Sequence, residues 1–169
     1  MHAAIEARNG SNKARVVAGY CWPWSSKKDL AANDIVIGDY KRQWNLSQDQ
    51  GLWIIKPESI AQVGYIHTCQ GLEVEYIGVI ISPDLVMSHG VPTAVPGARD
   101  RNDKSMKGYK SHLKQDSEGA KERADALIKN TYRTLMTRGT KGCFVYATDP
   151  KLREYLRGCV VGGLRDLVC

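Results

Sequence analysis

The sequence predicts an α/β fold built on a mostly parallel sheet with helices on both faces. Three observations predict it. The runs Tyr76–Ile81 (YIGVII) and Cys143–Ala147 (CFVYA) are almost continuously apolar, the pattern of strands covered on both faces. Between them, Ala120, Ala124, Leu127, Ile128, Thr131 and Leu135 fall on one face at a helical period. Strand-like and helix-like segments also alternate along the chain, which argues for parallel crossover units rather than a sandwich.

The elements follow in order. Met1–Asn9 reads as the end of a helix closed near Gly10. Arg15–Tyr20 (RVVAGY) reads as a buried strand, and Cys21–Trp24 (CWPW) breaks it because Pro23 cannot donate to a ladder. Asp34–Ile37 (DIVI) and Leu52–Ile55 (LWII) are short strand candidates. Val63–His67 is β-rich and alternating, and Gln70–Gly71 marks a turn or helix start. From Pro83 to about Glu118, Pro, Gly, Ser and charge replace apolar periodicity. Arg99, Arg101, Lys104, Lys107, Lys110 and Lys114 stand there against Asp100 and Asp103. This stretch reads as a basic, flexible insertion without a core of its own, and such a loop can still touch phosphates. Helical order returns near Gly119, with Gly139 after Arg138 as a left-handed cap. Asp149-Pro150 supplies an N-cap and a first helical residue. That last helix should end near Arg157, with a frayed tail from Gly158.

Length and composition bound the function. The 169 residues suit one domain, and 43% apolar with 25% charged residues excludes a disordered chain, a collagen or a rod. No apolar run approaches the roughly 20 residues that span a bilayer. No signal peptide opens the chain, and its five cysteines form no C-x-x-C pair. Reduced thiols in a cytoplasm are the simplest reading, with Cys69 and Cys143 as small buried hydrophobes. The net charge of +6 favours acidic partners, nucleic acid first.

Two stretches carry chemistry. In Val63–Ile81, a strand leads into His67-Thr68, then Gln70-Gly71 and Glu73, then a second strand. A Gly there lets backbone N–H groups approach an anion. Glu73 either complements a helix dipole or accepts hydrogen bonds from a ribose hydroxyl pair. In Asn130–Tyr146, a helix delivers Arg138 just before a strand. Arg138 either neutralises the helix C-terminus or aims its planar fork at a phosphate. Strand carboxyl ends gather ligands in such sheets, so chemistry is expected after His67, after Ile81 and around Arg138. Trp22 and Trp24 flank Pro23 in a loop, where they either pack or stack on single-stranded bases. His67 and Cys69 lack the second pair of ligands a zinc site needs, so no metal is expected. His2, His89 and His112 lie in polar segments and read as solvated.

HTCQGLEVEYIGVI resembles motif V of superfamily 1 helicases, and RTLMTRGTKGCFVY resembles their motif VI. With VAGYCWPW, these strings are most similar to the C-terminal half of the schlafen-like, uncharacterised bacterial helicase-domain family, from about Arg15 to Tyr155. The resemblance implies a second RecA-like lobe of an ATP-dependent DNA or RNA helicase. It implies that Arg138 reaches the γ-phosphate and Glu73 the ribose. Gln70 and Gly71 would form the turn between nucleotide cleft and nucleic-acid path, with His67 and Thr68 near the bound strand. Glu75 stands where the family often has Asp, and Val74 where an aromatic is frequent. No G-x-x-x-x-G-K-(S/T) phosphate cradle occurs in the sequence. ATP and Mg would therefore bind only with an N-terminal P-loop lobe as partner, and this chain alone should not hydrolyse ATP. Single-stranded DNA or RNA is the other implied partner, and no membrane is. A non-catalytic module that only holds nucleic acid or protein is the competing class.

Overall fold

The computed structural model describes residues 1–45, 52–69, 71 and 73–166. A four-stranded parallel sheet runs in the order β4-β1-β5-β8, where β1 is Ala14–Ala18, β4 is Val63–Gly64, β5 is Val74–Ile81 and β8 is Gly139–Ala147. Side chains alternate along the two central strands. Val17, Ile77, Val79 and Ile81 face one core with Trp53 and Cys69. Val16, Ala18 and Ile80 face the other with Ile5, Ile35 and Trp44. Both faces are therefore buried, which is why YIGVII reads as unbroken apolar sequence.

The first face is covered by α3 (Ser117–Met136) and α4 (Pro150–Asp166). The second is covered by the short α1 (His2–Glu6) and by the antiparallel hairpin β2 (Ile35–Ile37) and β3 (Tyr40–Arg42). On α3 the expected face is buried except Leu127, which is 37% exposed, and Tyr132 joins it. Asp116 caps α3 by accepting from the Gly119 amide at 2.9 Å. Asp149 accepts from the Leu152 amide at 2.7 Å, the N-cap expected ahead of Pro150. The last helix continues to Asp166 rather than ending near Arg157.

Several expectations need correction. Leu52–Ile55 is a helical turn, with Ile55 and Lys56 amides both on the Leu52 carbonyl. The cause is Arg15, fully buried in β1. Its guanidinium donates to the carbonyls of Trp53, Ile54 and Lys56, claiming the acceptors a strand would need. The strand expected over Val63–His67 stops at Gly64, because Thr68 and Cys69 amides turn back to the Tyr65 carbonyl. Gly139 is no left-handed cap but the first residue of β8. Among the described residues, β8 borders the sheet with only β5 beside it, so Cys143 is exposed rather than buried. Cys69 is buried as expected. His2 is 7% exposed, holding Tyr40 Oη at 2.7 Å and the Ile60 carbonyl at 2.9 Å.

The segment 83–118, expected to be irregular, holds the hairpin β6 (Leu85–Ser88) and β7 (Val91–Ala94) and the helix α2 (Tyr109–Gln115). His89 and Gly90 both have positive φ, as a tight two-residue hairpin turn requires. Asp149 accepts from the Met87 amide and Asp125 from the Ala94 amide, docking the hairpin on α4 and α3. Beneath it, Asp84 pairs with Arg99 at 2.7 Å, Arg99 pairs with Asp103 at 2.6 Å, and Tyr132 donates to Asp84. Polar groups that satisfy one another hold this segment, so no apolar period announces it. No helix among the described residues is long and apolar enough to cross a membrane.

Candidate functional site

The sheet divides the expected residues between its two ends. Glu73 immediately precedes β5 and Arg138 immediately precedes β8, so both stand at strand amino ends. The expectation that Arg138 would lie at a carboxyl end is therefore corrected. Parallel pairing of Val74 with Gly139 sets the two residues side by side. The Val74 amide donates to the Arg138 carbonyl at 3.0 Å. The Arg138 amide in turn donates to Leu135, ending α3.

Arg138 is half-buried, and its Nε is buried without a hydrogen-bond partner. Among the described residues its side chain forms no ion pair or hydrogen bond. Burial pushes the neighbouring Cys69 thiol up to about 12, with the Arg138 cation opposing that rise. Glu73 is exposed and likewise has no ion-pair or hydrogen-bond partner among the described residues. Glu75 differs. It takes Lys141 Nζ at 2.9 Å across the β5–β8 pair, and that hydrogen bond holds its carboxyl below the usual range. Gly71 is exposed with φ +72°, a left-handed turn that suits glycine. Gln70 lies outside the described residues.

The remaining candidates lie toward the carboxyl ends of β1 and β4. His67 is exposed and sits edge-on to Tyr65 at 5.6 Å between ring centroids. Trp24 is half-buried and meets Tyr65 edge-on at 5.5 Å. His67 and Trp24 line one cleft of about 750 Å³. Trp22 and Thr68 are engaged internally. The Trp22 carbonyl accepts from Trp44 Nε1 at 3.2 Å, and the Thr68 hydroxyl donates to Asn45 Oδ1 at 3.0 Å. Sequence reasoning did not single out Tyr20, Tyr65, Lys27 or Lys28, which also line the cleft. The Lys27-Lys28 pair so soon after Trp24 was the available signal.

A model of the schlafen group 3 DNA/RNA helicase domain matches residues 1–149. The chain belongs to the schlafen group 3 helicase-domain family. An uncharacterized protein of Saccharomyces cerevisiae is 27% identical over 160 residues, covering 92% of this chain and 34% of that protein. The chain thus spans about a third of the length of that curated relative. No solved structure matches. Within this schlafen group 3 domain, Glu73 and Arg138 stand at one end of the sheet, with Gly71 two residues before Glu73 in sequence. His67 and Trp24 gather at the other.

Proposed function

We propose that this chain is the C-terminal, RecA-like lobe of an ATP-dependent nucleic-acid helicase or NTPase. It contributes Glu73 and Arg138 to an ATP site that a P-loop lobe of the same parent protein completes. One observation carries the reading. Beside an exposed carboxylate without a described partner stands an arginine whose buried Nε has none either. Leaving a buried guanidinium donor unmade costs free energy, and an anionic ligand would supply the missing acceptor. A helix-capping role accounts less well for it, because capping would direct the guanidinium to carbonyls at the end of α3. Arginine suits a phosphate because its planar fork stays charged.

The residues fit one wall of a nucleotide site. Glu73 would hold the ribose, Arg138 the terminal phosphate, and Gly71 would form the turn beside them, with Gln70 next to it in sequence. Bound ATP with Mg supplies the phosphoryl group and the charge that the phosphate cradle must hold. This chain contains no such cradle sequence, so the purified chain should show no magnesium-dependent ATP turnover above background.

The test uses the full parent protein. Arg138→Lys keeps the charge and loses the fork, so it should impair turnover nearly as much as Arg138→Ala. Arginine fingers contribute about 10³–10⁵ in rate in phosphoryl transfer. Wild-type turnover per folded molecule in Arg138→Ala would reject the assignment.

A further inference from the structure

The outer edge of β8 offers backbone groups that nothing takes. The Thr148 amide donates to the Ile81 carbonyl at 2.9 Å, so position 148 faces β5. Backbone groups of successive strand residues point to opposite edges, so those of Ala147, Val145 and Cys143 face away from β5. The Ala147 carbonyl shows the alternation directly, since it accepts Arg153 Nε at 2.9 Å on the outer side. The amides and carbonyls of Cys143 and Val145 have no partner among the described residues. Both residues are also exposed, Val145 by 39%.

The two helical walls beside this edge leave room for a strand. Met1 and Ala4 stand on the side of α1, and Leu156, Arg157 and Val160 on the side of α4. With residues 143–147 as floor they line a groove of about 630 Å³. Val160 is 69% exposed within it. Native edge strands are commonly blunted by lysine, proline, a bulge or short length. β8 has nine residues and no proline. Its one lysine, Lys141, is held by Glu75 at 2.9 Å. Its register shift lies opposite Val74 and Tyr76, before the groove begins. The edge from Cys143 to Val145 therefore carries none of these guards.

We infer that this groove takes an extended segment of a partner protein, added to the sheet as a further strand, with apolar side chains on one face and carboxylates on the other. Main-chain hydrogen bonds to Cys143 and Val145 hold such a strand, and the walls select its side chains. Met1 and Ala4 offer only apolar contact, whereas the α4 wall carries the exposed Arg157 beside Val160. The charged residues of the lining are Arg153 and Arg157, and no carboxylate lines the groove among the described residues. A second copy of the chain fits worse. Pairing β8 with itself would bring a second set of arginines to the groove and no carboxylate, because Lys141 is the one charged residue of the strand. The surface is independent of the nucleotide reading, since Glu73 and Arg138 line no part of it.

The experiment titrates the purified chain, without ATP, into the fluorescein-labelled, C-terminally amidated peptide Val-Glu-Val-Thr-Val-Glu-Val and reads anisotropy. The peptide should bind, and a scrambled peptide of the same composition should bind more weakly. N-methylation of alternate residues then blocks one backbone edge of the peptide at a time. One methylated series should weaken binding roughly 5- to 150-fold, the loss of two backbone hydrogen bonds, and the other should stay within about twofold of the unmethylated peptide. Arg157→Glu should lose about tenfold, an attraction turned into a repulsion, and regain it with lysine in place of glutamate in the peptide. Thermal melting of the variant separates misfolding from lost contact. Sedimentation of the chain alone reads the competing occupant, and a monomer is expected. A dimer that the peptide dissociates would give the groove to a second copy and overturn the proposal. Absence of peptide binding, or equal losses in the two methylated series, would overturn it too. None of these results bears on Arg138, whose test reads ATP turnover in the parent protein.

Discussion

The carbonyl oxygen of Arg138 accepts the amide hydrogen of Val74 at 3.0 Å. That one bond joins the end of α3 to the start of β5. It sets Arg138 against Glu73 although 64 residues separate them in sequence. The next residue, Gly139, makes the approach possible. A Cβ there would stand 2.3 Å from the Gly142 carbonyl oxygen and 2.9 Å from Ile77 Cγ2.

Gly139→Ala should therefore destabilise the chain, although the glycine has an ordinary φ. The obstructing atom is backbone in a paired strand and cannot swing aside. Overpacking of this kind costs about 1–3 kcal/mol. Urea denaturation of the two proteins measures it, and a variant as stable as wild type would contradict the packing described.

Much of this was legible in sequence. YIGVII announced a strand buried on both faces, and Asp149-Pro150 announced a capped helix start. The motif resemblance implied that Glu73 and Arg138 share one site, but the expectation of strand carboxyl ends misplaced it, since both residues stand at strand amino ends. What could not be read depended on distant polar partners. LWII has strand chemistry, but Arg15 from β1 takes its carbonyls. CFVYA reads as a buried strand, but among the described residues β8 has a neighbour on one side only. Hydrophobicity reports that a residue prefers burial, not whether a second strand arrives to bury it. The cleft was half visible. Trp24, His67 and the basic residues Arg101 and Lys104 were noted separately, and only the fold brings them to one wall.

The second prediction concerns the buried network under the β6–β7 hairpin. Tyr132 Oη accepts from the Ser82 amide at 2.9 Å and donates to Asp84, which also holds Arg99 at 2.7 Å. Tyr132→Phe leaves an amide and a carboxylate oxygen short of a partner, at a cost of about 1–3 kcal/mol. Arg99→Ala leaves two buried carboxylates unpaired and should cost about 3–5 kcal/mol. The double variant Arg99→Ala with Asp84→Asn should recover part of that loss, because one orphaned charge disappears. Urea midpoints of the three variants check the order, and a milder loss in Arg99→Ala than in Tyr132→Phe would refute it.

A third prediction links His2 to pH. Burial lowers its pKa below the usual 6.5, with the Arg42 cation adding to the effect and Glu6 opposing it. The folded state thus keeps His2 neutral where the unfolded chain would protonate it. Stability from this group is fully present above about pH 6.5 and falls as pH drops toward the lowered folded value. His2→Phe removes that proton linkage. The difference in melting temperature between wild type and variant should accordingly shrink as pH is lowered from 7.5 to 5. A difference that stays constant, or grows on acidification, would exclude this linkage.

The last prediction separates two carboxylates two residues apart. Glu75 is committed to Lys141 at 2.9 Å across the β5–β8 pair, whereas Glu73 has no ion-pair or hydrogen-bond partner among the described residues. If Glu73 holds the ribose in the parent protein, its contact exists in both the ground state and the transition state. Its loss then raises KM for ATP and leaves kcat nearly unchanged. A hydrogen bond to a charged acceptor contributes about 1.5–3 kcal/mol, so Glu73→Gln should raise KM by roughly 10- to 150-fold. Glu75→Gln removes the ion pair of a half-buried carboxylate to the exposed Lys141, no part of the proposed ribose contact, and should leave KM within about twofold of wild type. The contrast also guards against a general electrostatic effect, since both variants change the net charge by the same amount. A competition series sharpens the result. An ATP analogue without ribose hydroxyls should bind wild type and Glu73→Gln equally, because the group the carboxylate recognises is gone from the ligand. Equal KM values for wild type and Glu73→Gln would remove Glu73 from the nucleotide site and leave Arg138 to be judged on its own variants.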